Sequence, residues 1–216
     1  LGELTYDFSQ ILTYTIDIET ATENGFPNIE TANEEILLIS VKNLTDNSVD
    51  VFTSREYSTE NENVRVHLCV DEKALLQNFI WFMSENPPDI LTGWNIEQFD
   101  IPYIVNRITN QLSWKEALKL SPWKSIRQDE NTVMGRTYKM YVIGGLDVLD
   151  YFRLYRKFTY TNRESYKLDF IANVELGEKK LDHSEYDSFK EFYTKDWKKF
   201  VDYNIRDVEL VHNLEK

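Results

Sequence analysis

The sequence is short of the residues that crosslink or anchor a chain. It has one cysteine, Cys69, which excludes an internal disulfide and a cysteine-built zinc site. Cys69 ends the apolar stretch Val64-Arg65-Val66-His67-Leu68-Cys69 and reads as a buried structural thiol. Basic residues are scarce: 24 Lys and Arg against 37 Asp and Glu leave a formal net charge of −13, which argues against a duplex-binding module acting alone. Acidic residues that hold divalent cations are neutralised by them, so the charge does not exclude a metal-dependent site. No apolar run is long enough to span a membrane. The N-terminus lacks the basic start and apolar block of a secretory leader, so none is expected. The chain begins at Leu1 rather than Met and is expected to be a piece of something longer. There is no internal repeat and no low-complexity segment.

The 216 residues suit one domain, and 42% apolar content rich in Tyr, Phe and Trp supplies its core. Alternating Thr, Ile and Tyr over 11–18 predict a strand. After an acidic, Asn-rich loop with Gly25 and Pro27, residues 36–41 and 49–52 predict a hairpin turning at 43–47. Residues 64–70 predict a further strand. The period then changes: Leu75, Leu76, Phe79, Ile80 and Met83 form a helical stripe that Pro87-Pro88 ends. A strand over 90–94, a helix over 101–112, a second hairpin turning within 129–137, a strand over 146–149 running into a helix, and a last helix over 196–214 complete the pattern. Early strands followed by alternating strands and helices predict an α/β fold with a mixed sheet.

Three acidic patterns stand out. Asp17 and Glu19 alternate with Ile18 at the end of the first strand, so both carboxylates face one side and can share a cation. The same triplet recurs as Asp207-Val208-Glu209, where helical spacing makes the two acids diverge, so the triplet alone is weak. In the run Gly93-Trp94-Asn95-Ile96-Glu97-Gln98-Phe99-Asp100-Ile101-Pro102-Tyr103 a strand breaks and becomes a helix, the kind of junction where α/β proteins place ligands. Here Glu97 and Asp100 compete as the acidic ligand, and Asp100 is equally placed to cap a helix before Pro102. In the last helix Tyr203 and Asp207 share a face away from the stripe Trp197, Val201, Ile205 and Val208. An exposed Tyr–Asp pair is the plainer alternative.

Four carboxylates from separated segments can hold two Mg²⁺ or Mn²⁺ ions about 4 Å apart for phosphodiester hydrolysis. A tyrosine beside one of them can orient the attacking water. His67, His183 and His212 are not spaced for that role.

These segments resemble the three exonuclease motifs of family B DNA polymerases, within the DnaQ-like, ribonuclease-H-like superfamily. Asp17-Ile18-Glu19 is similar to the first motif, the run from Thr92 to Tyr103 to the second, and Tyr203 with Asp207 to the tyrosine version of the third. Phe26-Pro27, Asn106-Arg107-Ile108, Leu120-Ser121-Pro122, Leu149-Asp150-Tyr151, Thr161-Asn162 and Ser165-Tyr166-Lys167-Leu168 extend the resemblance to T-even-type bacteriophage polymerases over nearly the whole chain.

The resemblance implies a ribonuclease-H-like fold with an inserted hairpin around 128–141, and a single domain over 1–216 belonging to a larger polymerase. It implies a monomeric 3′→5′ exonuclease that proofreads in the cytoplasm, a host's if the source is a phage. The partners implied are a single-stranded DNA 3′ end and the polymerase domains. Asp17, Glu19, Asp100 and Asp207 are implied as ligands of two Mg²⁺ or Mn²⁺ ions, with Asp100 preferred to Glu97. Tyr203 is implied to position water and Lys180 to face the scissile phosphate, with Lys179 beside it. Phe26, Asn95 and Phe99 are implied to hold the frayed nucleotide. Core packing for Phe99 and a solvated charge for Lys180 are the alternatives. The polymerase triplet Asp-Thr-Asp is absent, as is Ser-Leu-Tyr-Pro, so polymerase chemistry is not expected here. Two other readings are a catalytically silent binding module and an RNA-trimming relative.

Overall fold

The computed structural model describes residues 7, 10–133 and 136–215. Strands β1 (Thr13–Thr20), β2 (Ile36–Asn43), β3 (Val49–Thr53), β4 (Val64–Leu68), β5 (Ile90–Gly93) and β8 (Asp147–Asp150) form one sheet in the order β4-β3-β2-β1-β5-β8. β2 runs antiparallel to both neighbours and every other pair is parallel, the expected mixed sheet. β6 (Ile126–Val133) and β7 (Arg136–Ile143) form the separate hairpin; of the turn expected within 129–137, residues 129–133 and 136–137 are paired strand, and 134–135 lie outside the described residues.

The helices are α1 (Glu72–Glu85), α2 (Asp100–Gln111), α3 (Trp114–Ala117), α4 (Tyr151–Phe158), α5 (Leu168–Leu176), α6 (Phe189–Lys195) and α7 (Trp197–Glu215). Among the described residues, no helix is long and apolar enough to cross a membrane.

β1 divides the molecule. Tyr14, Ile16 and Ile18 point into a core shared with α1 and α2. Thr15, Asp17 and Glu19 alternate to the other face, where α6 and α7 pack over Leu37, Leu38, Val49 and Val51. The first strand starts two residues later than its pattern suggests, because Leu12 first bonds to the Asp89 carboxylate and to the amides of Asp89 and Ile90. The strand expected over 64–70 stops at Leu68. Asp71 then turns the chain by accepting from Ala74 N as the cap of α1.

Three helices are additions to the sequence pattern: α3, α5 and α6. α3 and α6 are each about a turn or two long, too short to show a period. Their Ser-x-x-Glu caps were nonetheless written in the chain: Ser113 accepts from Glu116 N, and Ser188 from Glu191 N.

Candidate active site

The site lies where β1, β5 and β8, mutually parallel, reach their C-terminal ends. The pairing of β1 with β2 shifts register between Glu19 and Thr20, with Leu37 of β2 as the extra residue, so the ladder is disrupted just after the two acids. β5 ends at Gly93, where only glycine fits: a Cβ would lie 2.4 Å from Ile96 Cγ2 and 2.6 Å from the Ile16 carbonyl oxygen. Asn95 follows in the left-handed conformation at φ 67°, which asparagine tolerates. The buried carboxylate of Asp150 holds this turn in place. It accepts from the amides of Asn95 and Glu97 and caps α4 through Phe152 N, each at 3.0 Å.

Asp17, Glu19 and Asp207 converge, offering one ligand oxygen each within 4.8 Å of one another. Asp100 adjoins them without entering that set. It occupies the first turn of α2 and accepts from Ile18 N at 3.1 Å, between the two β1 acids. It is therefore not the helix cap: Phe99 is, with no side-chain bond. Glu97 turns away and pairs with Arg153. The exposed Tyr–Asp alternative is also overturned, since Tyr203 and Asp207 are both buried.

Every carboxylate of the group resists ionisation. Burial, reinforced by the charges of Asp100, Asp207 and Glu19, pushes Asp17 well above the usual range. Burial and then the Asp207 charge push Glu19 up to about 8. Asp100 rises to about 7 and Asp207 to about 6, each chiefly through burial, although Lys180 opposes the rise at Asp207. Asp207 Oδ1 is buried without a hydrogen-bond partner among the described residues. An all-oxygen set of crowded, partly orphaned carboxylates fits a hard divalent cation.

Lys180 is not a solvated charge. Its ammonium donates to Asp207 and to the Tyr203 hydroxyl at 3.1 Å, and lies 4.9 Å from the Tyr203 ring centre. Asp169 fixes the lysine backbone by accepting from Lys180 N. The neighbouring Lys179 is exposed. Burial and the Asp207 charge hold the Tyr203 hydroxyl protonated far above its usual range. The Tyr203 ring sits edge-on against the stacked rings of His183 and Phe192, so His183 serves packing here.

Phe26, 85% exposed, leans on Phe99 at 5.9 Å, and Phe99 stacks on the core ring of Tyr103. Phe99 thus joins the core on one side and an open aromatic on the other.

Two residues went unread in the sequence. Asn204 is fully buried on α7 and donates from Nδ2 to Asp17. Asp150 sits one position before a helix, the preferred place for a cap, and that signal was available.

A family model for the exonuclease domain of DNA polymerase family B matches residues 7–171. The DNA-directed DNA polymerase of Escherichia phage RB69 is 31% identical over 239 residues, covering 99% of this chain and 26% of the phage protein. That of Enterobacteria phage T4 is 34% identical over 147 residues, with 68% and 16% covered. The DNA polymerase catalytic subunit of Alcelaphine herpesvirus 1 is 30% identical over 233 residues, with 100% and 22% covered. The chain therefore spans about a quarter or less of these relatives' length. The match to the RB69 protein, unlike that of the family model, spans 99% of the chain and so reaches the Tyr203–Asp207 segment.

Proposed function

This chain belongs to the exonuclease domains of family B DNA polymerases, and from that premise we propose that it is a two-metal 3′→5′ exonuclease on single-stranded or frayed DNA. Residues 1–216 form one such domain of a larger DNA polymerase, and the reaction removes a mispaired primer end as a nucleoside 5′-monophosphate. The convergence of Asp17, Glu19 and Asp207 beside Asp100 carries the reading.

Asp17, Glu19, Asp100 and Asp207 would hold two Mg²⁺ or Mn²⁺ ions. The bound cations would supply a nucleophilic water at neutral pH and charge neutralisation at the leaving 3′ oxygen. The chain's own groups do the rest. The Tyr203 hydroxyl, held protonated by burial and Asp207, orients the water through its oxygen. Lys180 presents its ammonium to the scissile phosphate from the position it holds against Asp207. Phe26 and Phe99 take the terminal base by stacking, a contact indifferent to base identity and worth about 1–3 kcal/mol per base. Asn95, anchored by Asp150 and accepting from Phe99 N at its carbonyl, helps hold the same terminal nucleotide.

The test is a 5′-labelled oligonucleotide digested with Mg²⁺ or Mn²⁺. A ladder shortening from the 3′ end with release of 5′-monophosphates is expected, together with its loss in Asp17→Ala/Glu19→Ala. Undiminished digestion by that variant would sink the proposal. An RNA oligomer cleaved faster than DNA would redirect the substrate, since the 2′-hydroxyl is the discriminating group.

A further inference from the structure

A chain with a net charge of −13 carries a basic, aromatic stretch in and just after α4. Residues 151–167 hold five Lys and Arg against a single carboxylate, Glu164. Arg153 and Arg163 are occupied by Glu97 and Glu175. Arg156, Lys157 and Lys167 have no carboxylate partner among the described residues. Rings accompany the free cations. Arg156 lies 5.5 Å from the Phe152 ring centre and 5.0 Å from that of Tyr166, and Lys157 lies 5.3 Å from that of Phe158. Phe158 is 65% exposed and Tyr160 fully so.

This stretch is continuous with the candidate active site. Asp150, which fixes the Asn95 turn, is also the cap of α4. Trp94, beside Asn95, lies 5.7 Å edge-on to Phe152 and donates from Nε1 to the Tyr166 carbonyl. Rings thus lead from the turn at the end of β5 onto α4, whose eight residues carry the line about 12 Å at 1.5 Å per residue.

We propose that the exposed C-terminal end of α4 and the residues just after it, with Arg156, Lys157, Phe158 and Tyr160, form a track for the 5′-ward part of the single strand whose 3′ end enters the carboxylate site. The proposal rests on the exonuclease reading for the identity of that strand. Charge decides between occupants. Unpaired cations interleaved with exposed rings suit phosphates and stacked bases, the combination used by single-strand binding surfaces. An otherwise acidic chain has the most to gain from such a patch where the polyanion must approach.

Two variants of this chain test it: Phe158→Ser/Tyr160→Ser and Arg156→Gln/Lys157→Gln. All four side chains are exposed, so an unchanged melting temperature is expected and serves as the folding control. With Mn²⁺ and an oligo(dT) of roughly 16 nucleotides, the upper end of single-strand site sizes, KM should rise about tenfold in either variant with kcat unchanged. Hydrolysis of the dinucleotide, too short to reach α4, should not change. For the cation variant, binding in EDTA should show a salt slope smaller by about 1.4, two cations at about 0.7 each.

Equal KM for long and short substrates in the native chain overturns the track. So do variants that bind the long oligomer as tightly as the native chain, which would make the face a contact for protein. A native chain that binds the long oligomer, weakens in both variants, yet hydrolyses nothing in Mn²⁺ leaves the track standing and sinks the exonuclease reading.

Discussion

At the scale of residues, the carboxylate cluster trades stability for the capacity to bind cations. Glu19, Asp100 and Asp207 have folded-state pKa values raised to about 8, 7 and 6, above those of the unfolded chain. A raised carboxylate favours folding fully only below its unfolded value, about pH 4, and that contribution is lost as pH rises through the folded value. The metal-free chain should therefore lose melting temperature between about pH 4 and 8, and saturating Mn²⁺ should restore it by mass action. Melting curves with EDTA and with Mn²⁺ at several pH values check this; a metal-free chain as stable at pH 8 as at pH 5 contradicts it. Tyr203→Phe keeps the ring against His183 and Phe192 and removes only the hydroxyl. We expect kcat to fall by roughly 10²-fold with KM and melting temperature little changed, the signature of a group that positions water.

At the scale of elements, α2 works as a strap. Tyr103, Asn106, Arg107 and Asn110 share one face and grip the carbonyls of Glu34, Ile29, Ala32, Asn33 and Thr31 in the loop that carries Phe26. Asn106 also accepts from the Tyr141 hydroxyl at 2.6 Å, so one amide joins the hairpin to that loop. A double-mutant cycle between Tyr141→Phe and Asn106→Ala should give a coupling of about 0.5–1.5 kcal/mol in urea denaturation. Strict additivity would remove the link. Gly93→Ala should cost at least about 1–3 kcal/mol, because Ile16 backbone cannot move without opening the β1–β5 pairing. The strands and long helices were legible because side-chain alternation and the 75–83 stripe are local signals. α3 and α6 were not read because a helix of that length shows no period, although Ser113 and Ser188 announced both. Asp100 shows the limit of local reading: its spacing before Pro102 suggests a cap, and only the approach of β1 reveals that its carboxylate is used by Ile18 N.

At the scale of the molecule, the two faces of the sheet divide the labour. One core fixes β1 against α1 and α2, and the other brings α7 across so that Asp207 and Asn204 reach Asp17. The first is tied by a buried ion pair in which Arg107 grips Glu72 of α1 while also holding the loop before β2. Arg107→Met alone should cost roughly 3–5 kcal/mol, because it strands a buried carboxylate. The convergence of segments near positions 17, 100 and 207 could not follow from spacing: it depends on the parallel pairing of β1 with β5 and the crossing of α7. Resemblance to a family supplied that information; periodicity did not. The central claim is that these four carboxylates form one two-cation site. Counting Mn²⁺ bound per chain by paramagnetic resonance, with a nucleoside 5′-monophosphate present, tests it directly. Two ions are expected in the native chain, one in Asp100→Asn and none in Asp17→Ala/Glu19→Ala. A native chain that binds no more Mn²⁺ than the Asp17→Ala/Glu19→Ala variant would contradict it.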